Sequence, residues 1–534
     1  MSITAIWLLI LVVTLLIAIM SGMPVMLAIS GIPVIIGVIA AFFGHFDLSF
    51  FGAFPQRVFG IMNNSLLIAI PLFVMMGILL ERSKVAERML LIMASFFGGD
   101  RAGLAYSVLI VSTLIAASTG IIGATIVMLG MISLPALLKA GVSVRLSSGL
   151  ICASGTLGQI IPPSIVLILL GDQISNAYIE AQQNIGNFAP DPVSVGDLFA
   201  GAILPGLLLV LLYAFYVFIH NRFIEPEPRV TNHPISGAKQ ENTAIQQSIS
   251  IQEICTAFMP PILLIIAVLG SILFGVATPT EAAAVGVAGT LLIAAANSVN
   301  AVNWLKKLIL LGAIAAFSLS LLISYDISKI DLSSGSLVLD YGSVAAIGLS
   351  LILLSALVFS SHRLVKDNIL RDAISQSVSV SGMVFAIIIA ASMLSLVFRG
   401  FEGDEMVAHL LSQIPGDKWG ALIAVMLVVF LLGFILEFVE ILFIVIPIVG
   451  PVILAMDFNP IWFAIMIAIN LQTSFLTPPF GFALFYFRSV APKSISTIDI
   501  YKSVIPFVFI QIITMGVLVV FPELVTWLPT WIFS

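Results

Sequence analysis

Two stretches of this chain place hydroxyl, amide and glycine residues directly ahead of a double proline. The first is GTLGQIIPPS at 155–164 and the second is LQTSFLTPP at 471–479. A proline pair removes two backbone donors and turns the preceding residue away from helix. Pro162-Pro163 and Pro478-Pro479 therefore read as breaks in helices at membrane depth. Carbonyls upstream of such a break lose their partners, and lipid cannot replace them, so it is tolerated only against protein or a wet cavity. Those carbonyls, with nearby Ser, Thr and Gln oxygens, make a hard-cation site suited to Na+. Half-helix N-termini beside them suit an anion. A simple packing kink is the plain alternative, and its recurrence in both halves argues for a site.

Two other clusters could form the opposite wall. Ser118-Thr119-Gly120 and Gly123-Ala124-Thr125 sit in the middle of a charge-free run, where small and hydroxylic residues permit a tight turn and close approach to a ligand. Ordinary small-residue helix packing uses the same residue types. In the second half, Gly433 precedes Glu437 and Glu440. Carboxylates at i and i+3 share a helix face, and at mid-depth they are costly unless a cation, proton or donor meets them. Ion coordination or proton coupling is the sharper reading; two acids facing water at a wet tip is the plainer one.

The elements that must hold these residues follow from composition. Of the 534 residues 60% are apolar and only 9% charged, against roughly 25% charged in soluble domains. The solvent is lipid. The net charge of −6 offers no basic surface for nucleic acid. Charge-poor spans fall near 3–20, 24–43, 65–80, 146–171, 198–219, 258–275, 278–297, 308–325, 341–360, 374–398, 461–487 and 503–521. The run at 3–20 lacks a positive leader and a cleavage site, so it reads as a retained helix with the N-terminus outside. Two runs, 102–138 and 420–456, are too long for one crossing of a core about 30 Å thick and too short for two. Each reads as a re-entrant hairpin that enters to mid-depth and leaves on its own side.

Loop charge agrees. With the N-terminus periplasmic, 17 of the 21 Lys and Arg residues fall on the cytoplasmic side, and only Arg57, Lys329, Arg399 and Lys418 fall outside. Bases flank the first hairpin (Arg101, Lys139) and acids the second (Asp417, Asp457), so their mouths open on opposite faces. An internal repeat underlies this. Pro24 and Gly31 recur 255 positions on as Pro279 and Gly286, and Pro135, Pro162 and Pro163 recur 316 positions on as Pro451, Pro478 and Pro479. The offset grows because the second half holds two extra hydrophobic segments within 308–360. The chain thus divides into a first inverted repeat (1–219), a polar cytoplasmic linker (220–252) and a second inverted repeat (253–534). In the repeats, hairpins at 102–138 and 420–456 precede broken helices at 146–171 and 461–487.

Catalysis finds no support. The five histidines lie in loops or at span ends without metal or triad spacing, and there is no GxxxxGK[ST] loop for ATP. Cys152 and Cys255 both lie in apolar stretches and read as buried small hydrophobes.

These residues resemble the large membrane subunit of tripartite ATP-independent periplasmic (TRAP) transporters. The resemblance covers nearly the whole chain: IPLFVMMGILLE at 70–81, LPALLKAG at 134–141, GTLGQIIPPSIVLILLG at 155–171, TPTEAAAVG at 278–286 and TPPFGFALF at 477–485. The wording around the breaks is most similar to the DctM-like branch labelled mannitol/chloroaromatic-type. The resemblance implies an all-α, elevator-type carrier of the inner membrane, without cofactors and with Na+ as coupling ion. It also implies a small DctQ-like membrane subunit, a DctP-like periplasmic binding protein and an organic acid as cargo. On this reading Ser118, Gly120, Gly155, Gly158, Glu437, Glu440, Gln472, Phe475 and Thr477 take Na+. Thr119, Thr125, Thr156, Thr473 and Ser474 take the substrate. The family tip runs S-G-S-S-V-A-T; here Thr119, Gly120 and Thr125 match, but Ile121 and Ile122 replace the central serines, so no role passes to them. A stand-alone Na+/carboxylate symporter of similar design, a channel and a membrane-embedded enzyme are the competing readings.

Overall fold

The computed structural model describes residues 3–96, 101–120, 122–224, 251–298, 303–324 and 341–533, and every regular element in them is helical. Helices α1 (Ile3–Met20) and α2 (Val25–Phe42) are followed by the short α3 (Phe54–Met62), then α4 (Ala69–Arg82) and α5 (Val85–Phe96). Next come α6 (Arg101–Thr119), α7 (Ile122–Lys139), α8 (Val144–Thr156), α9 (Ile165–Asn184) and α10 (Val195–Ile219). Beyond residue 250 lie α11 (Ile251–Leu273), α12 (Pro279–Asn297), α13 (Asn303–Ser324), α14 (Tyr341–Lys366), α15 (Ile369–Gly400) and α16 (Gly403–Ser412). The last are α17 (Asp417–Leu432), α18 (Phe438–Ile444), α19 (Ile446–Leu454), α20 (Pro460–Leu476), α21 (Phe482–Val490), α22 (Thr497–Val520) and α23 (Glu523–Phe533). Eleven helical segments among the described residues are long and apolar enough to cross a bilayer. The chain is a multi-pass membrane protein.

Helices α8 and α20 form the centre. All residues from Leu146 to Thr156 and from Trp462 to Leu476 are buried, with no exposed face on either rod, which is the signature of a helix enclosed by others. At 13 and 17 residues they extend roughly 20 and 25 Å at 1.5 Å per residue, short of a full crossing. Around them pack α6, α7, α9, α10, α17, α21, α22 and α23, with α18 and α19 lying on α9. A second group, α1, α2, α4 and α11 to α15, packs mainly on itself. With α5 and α16 at its margins, it touches the inner group where α4, α5 and α11 meet α6, where α11 meets α10, where α4 meets α9, where α15 meets α18 and where α16 meets α17 and α19.

Three elements of the inner group start at one constant spacing. Arg101, Ile122 and Val144 open α6, α7 and α8; Asp417, Phe438 and Pro460, each 316 positions later, open α17, α18 and α20. The packing is reciprocal as well. Helix α7 of the first half lies against α21 of the second, and α19 of the second lies against α9 of the first.

Several boundaries depart from the sequence reading. The rod expected at 146–171 resumes after its break and continues to Asn184, carrying polar residues well past the apolar run. The span expected at 374–398 is the 32-residue α15. The returning arm of the second hairpin is two short helices, because Pro447 opens α19 within the first positions where its missing N–H costs nothing. Cys152 is buried, but Cys255 is exposed on the first turns of α11, where an apolar neighbourhood in sequence does not imply cover. Residues 225–250 of the linker and 325–340 between the two extra helices lie outside the described residues, as do the side chains of Ser118 and Thr119.

Candidate functional site

The two breaks are built alike. Helix α8 ends at Thr156, a 3-10 turn spans Leu157–Gln159, Pro162-Pro163 is cis, and α9 starts at Ile165. Helix α20 ends at Leu476, Pro478-Pro479 is cis, and α21 starts at Phe482. The two rods meet where Gln472 Nε2 donates to Thr156 Oγ1 at 3.2 Å. These two residues are themselves 316 positions apart, so the hydrogen bond joins equivalent positions and marks the axis relating the halves.

Hairpin tips close over both breaks. At the first, Gly120 sits at φ +61°, a conformation that L side chains rarely adopt, and its Cα lies 3.6 Å from where a Cβ on Gly158 would stand. A Cβ on Gly120 would meet the backbone N of Ile165 at 3.4 Å, so this tip lies over the N-terminus of α9. Gly155 faces Ile126 of α7 with no room for a side chain. At the second tip, Gly433 lies against Ser474, whose Oγ donates to the Phe430 carbonyl at 2.6 Å. Asn470 Nδ2 ties the same pair of helices through Met426 O at 2.7 Å. Gly155 and Gly158 thus have a packing reason to be glycine, whatever their carbonyls do.

The expectation that the carbonyls at the breaks stand free needs correction. Ser164 Oγ donates to Gln159 O at 2.8 Å, Thr477 Oγ1 to Thr473 O at 2.7 Å and Tyr501 OH to Pro479 O at 3.1 Å. Hydroxyls repair much of what the prolines undo. The remaining hydroxyls are also committed as donors: Thr156 to Ala153 O at 2.8 Å and Thr473 to Ile469 O at 2.7 Å. A hydroxyl whose proton points at a carbonyl offers only lone pairs elsewhere. In this state Thr156, Thr473 and Ser474, expected to hold an anionic substrate, present acceptors, which fit a cation better than a carboxylate.

Sequence reasoning missed the sharpest feature. Gln159, fully buried in the first break, has neither its Nε2 nor its Oε1 hydrogen-bonded, and Gln472 Oε1 is likewise unpaired. Buried polar atoms without partners are rare in proteins, and three sit beside the axis. The sequence offered a cue, a glutamine three residues before a double proline, but only its burial shows that it lacks a partner. Glu437 and Glu440 also have a local task. Glu437 is the N-cap of α18, and its backbone N–H donates to Glu440 Oε2 at 3.0 Å, one arm of a capping box. Glu440 is buried and Glu437 half-buried. Phe475 is buried edge-on against Phe482, with ring centroids 5.6 Å apart. Thr125 is buried within the first two turns of α7. Helices α7, α9, α18 and α21 all begin at the breaks or tips, which places their positive ends there.

Comparison with known proteins agrees with this architecture. The family model for the DctM component of tripartite ATP-independent periplasmic transporters matches residues 8–336 and 338–524. The C4-dicarboxylate TRAP transporter large permease protein DctM of Vibrio cholerae is 26% identical over 467 residues, covering 87% of this chain and 85% of that protein. The ectoine TRAP transporter large permease protein TeaC of Halomonas elongata is 23% identical over 475 residues, covering 89% and 88%. The crystal structure of the Alcanivorax borkumensis YdaH transporter shares the fold with a TM-score of 0.50 at 12% identity, covering 90% of this chain and 88% of that one. With relatives that are transport permeases rather than enzymes, and with two hairpins closed over two broken rods in an all-helical membrane fold, the chain belongs to the DctM family as a large permease component of the TRAP type.

Proposed function

We propose that this permease imports a small organic acid across the bacterial inner membrane, driven by Na+, with its N-terminus periplasmic. A DctP-like binding protein hands over the substrate, and a DctQ-like small subunit supports the permease. Relatives named for C4-dicarboxylate and for sialic acid support an acid as cargo. A relative named the isethionate TRAP transporter permease protein DctMQ, of which this chain spans 57%, supports a DctQ-like partner.

The observation that carries the reading is the pairing of acceptor oxygens with unsatisfied buried amides at the axis. Na+ draws on lone pairs from Thr156, Thr473, Ser474 and Thr477 and on the Gln159 and Gln472 carbonyl oxygens. The acid takes the positive helix ends and the Gln159 N–H. Each ion holds a tip against its break, so a half-loaded inner group does not move past the outer group. Reconstituted vesicles test this directly. Labelled substrate should accumulate only with the binding protein, the small subunit and an inward Na+ gradient together. Equal uptake from K+ medium, or without the binding protein, would overturn it.

A further inference from the structure

The inner and outer groups are tied at one face by two polar bridges. Both start from α9. Asn64, ahead of α4, donates through Nδ2 to Asp172 Oδ1 at 2.8 Å. At the end of α15, Arg399 Nη2 reaches both Glu180 oxygens, at 2.8 and 2.9 Å, while its Nε pairs with Asp404 at 3.1 Å. Asp172 and Glu180 stand eight residues apart, about 12 Å along the helix, so the ties clamp α9 at two heights. A cavity of about 440 Å³ lies between them, lined by Arg57, Asn64 and Ser395 on one wall and Asp172, Asn176 and Glu180 on the other.

We propose that Asn64–Asp172 and Arg399–Glu180 form a two-point latch that holds the inner group in one of its two positions and opens once in every transport cycle. The chemistry suits release. Arg399 and Glu180 are 33% and 37% exposed, so water can take over their hydrogen bonds as the walls part, and Arg399 keeps Asp404 as a partner when it leaves Glu180. Such bridges bias a two-state equilibrium without locking it. Other polar ties have no such role. Arg82–Asp372 joins α4 to α15, and Arg88 joins α5 to Asn297 of α12, both outside the inner group.

The inference rests on the reading that the inner group moves, and the test separates the two. In a background of Cys152→Ala and Cys255→Ser, the pair Asn64→Cys with Asp172→Cys is joined by a short bis-maleimide. Uptake should stop in the joined protein and persist in the unjoined one. Uptake that survives joining would refute the motion and the latch together. In the same background, Ser395→Cys is labelled with a membrane-impermeant maleimide in Na+ buffer without substrate. Glu180→Ala, and separately Asp172→Ala, remove the accepting oxygens altogether, so each should let the cavity walls part and raise the labelling rate about threefold. Combining them should roughly multiply the effects. Labelling unchanged or slower in both folded variants, with uptake still stopped by joining, would refute the latch and leave the motion standing.

Discussion

Gly433→Ala should lift the second hairpin from its break. An added Cβ would lie 2.8 Å from Ser474 Cβ and closer still to its hydroxyl. Ser474 is fully buried, and its Oγ is held to Phe430 O at 2.6 Å. Rotating the hydroxyl away relieves only the shorter contact and strands a buried hydroxyl and a buried carbonyl, while the Cβ–Cβ contact is relieved only if the two helices part. One stranded group costs about 1–3 kcal/mol, and overpacking costs a similar amount. The two overlap, since relieving one creates the other, so about 2 kcal/mol is the working figure, or roughly 30-fold in an equilibrium. If the closed tip is what binds Na+, the half-saturating Na+ concentration for uptake should rise by about that factor. The repeat supplies the rescue. The position equivalent to Ser474 is Gly158, and the one equivalent to Gly433 is alanine, residue 117. Gly433→Ala with Ser474→Gly copies that arrangement. Ser474→Gly alone also removes a hydroxyl, so the coupling between the two changes is the measure; it should favour the double variant by more than about 1 kcal/mol. Parental Na+ dependence in Gly433→Ala, or additive effects in the pair, would refute the reasoning.

Other expectations can be checked as simply. Gln159→Leu removes an amide that no protein group satisfies, so the thermal midpoint of the purified protein should hold or rise while uptake falls at least tenfold; a large loss of stability would show a structural partner instead. Thr278→Ala removes the capping box at the start of α12, where Thr278 Oγ1 accepts from the Glu281 backbone N–H at 3.3 Å and the Glu281 carboxylate accepts from the Thr278 backbone N–H at 2.8 Å, and should destabilise the protein by about 1 kcal/mol in thermal unfolding. Cysteines at 102 and 139 should label from one face of sealed vesicles, and cysteines at 417 and 457 from the other. Arg82→Gln breaks an ion pair whose members are 43% and 54% exposed, and should shift stability by less than about 1 kcal/mol.

Some of this was legible in the sequence for identifiable reasons. Charge-poor runs of unusable length pointed to the hairpins, and the proline pairs fixed the breaks and the 316-residue offset that the helix starts share. What the sequence could not show was the direction of protons. Whether Thr156 donates to Ala153 or to a ligand depends on the local helix geometry and not on residue type. Glu440 reads as a stray acid at depth because its partner in the cap, Glu437, is not a usual capping residue. The short helices α3, α5, α16 and α23 escaped because none has the length of a span. Asn64 and Asp172 meet across 108 positions with no shared pattern to pair them.

The contact between Thr156 and Gln472 constrains how such a fold can be assembled. Two separate, identical chains meeting on this axis would have to set one side chain against its own copy, so threonine would face threonine or glutamine would face glutamine. One polypeptide carrying both copies escapes that demand. Here the two sides differ, a long amide reaching a short hydroxyl, and the central junction is thereby lopsided. A pocket beside it need not treat its two ends alike, which an inward-directed carrier can exploit and a strictly symmetric pair could not.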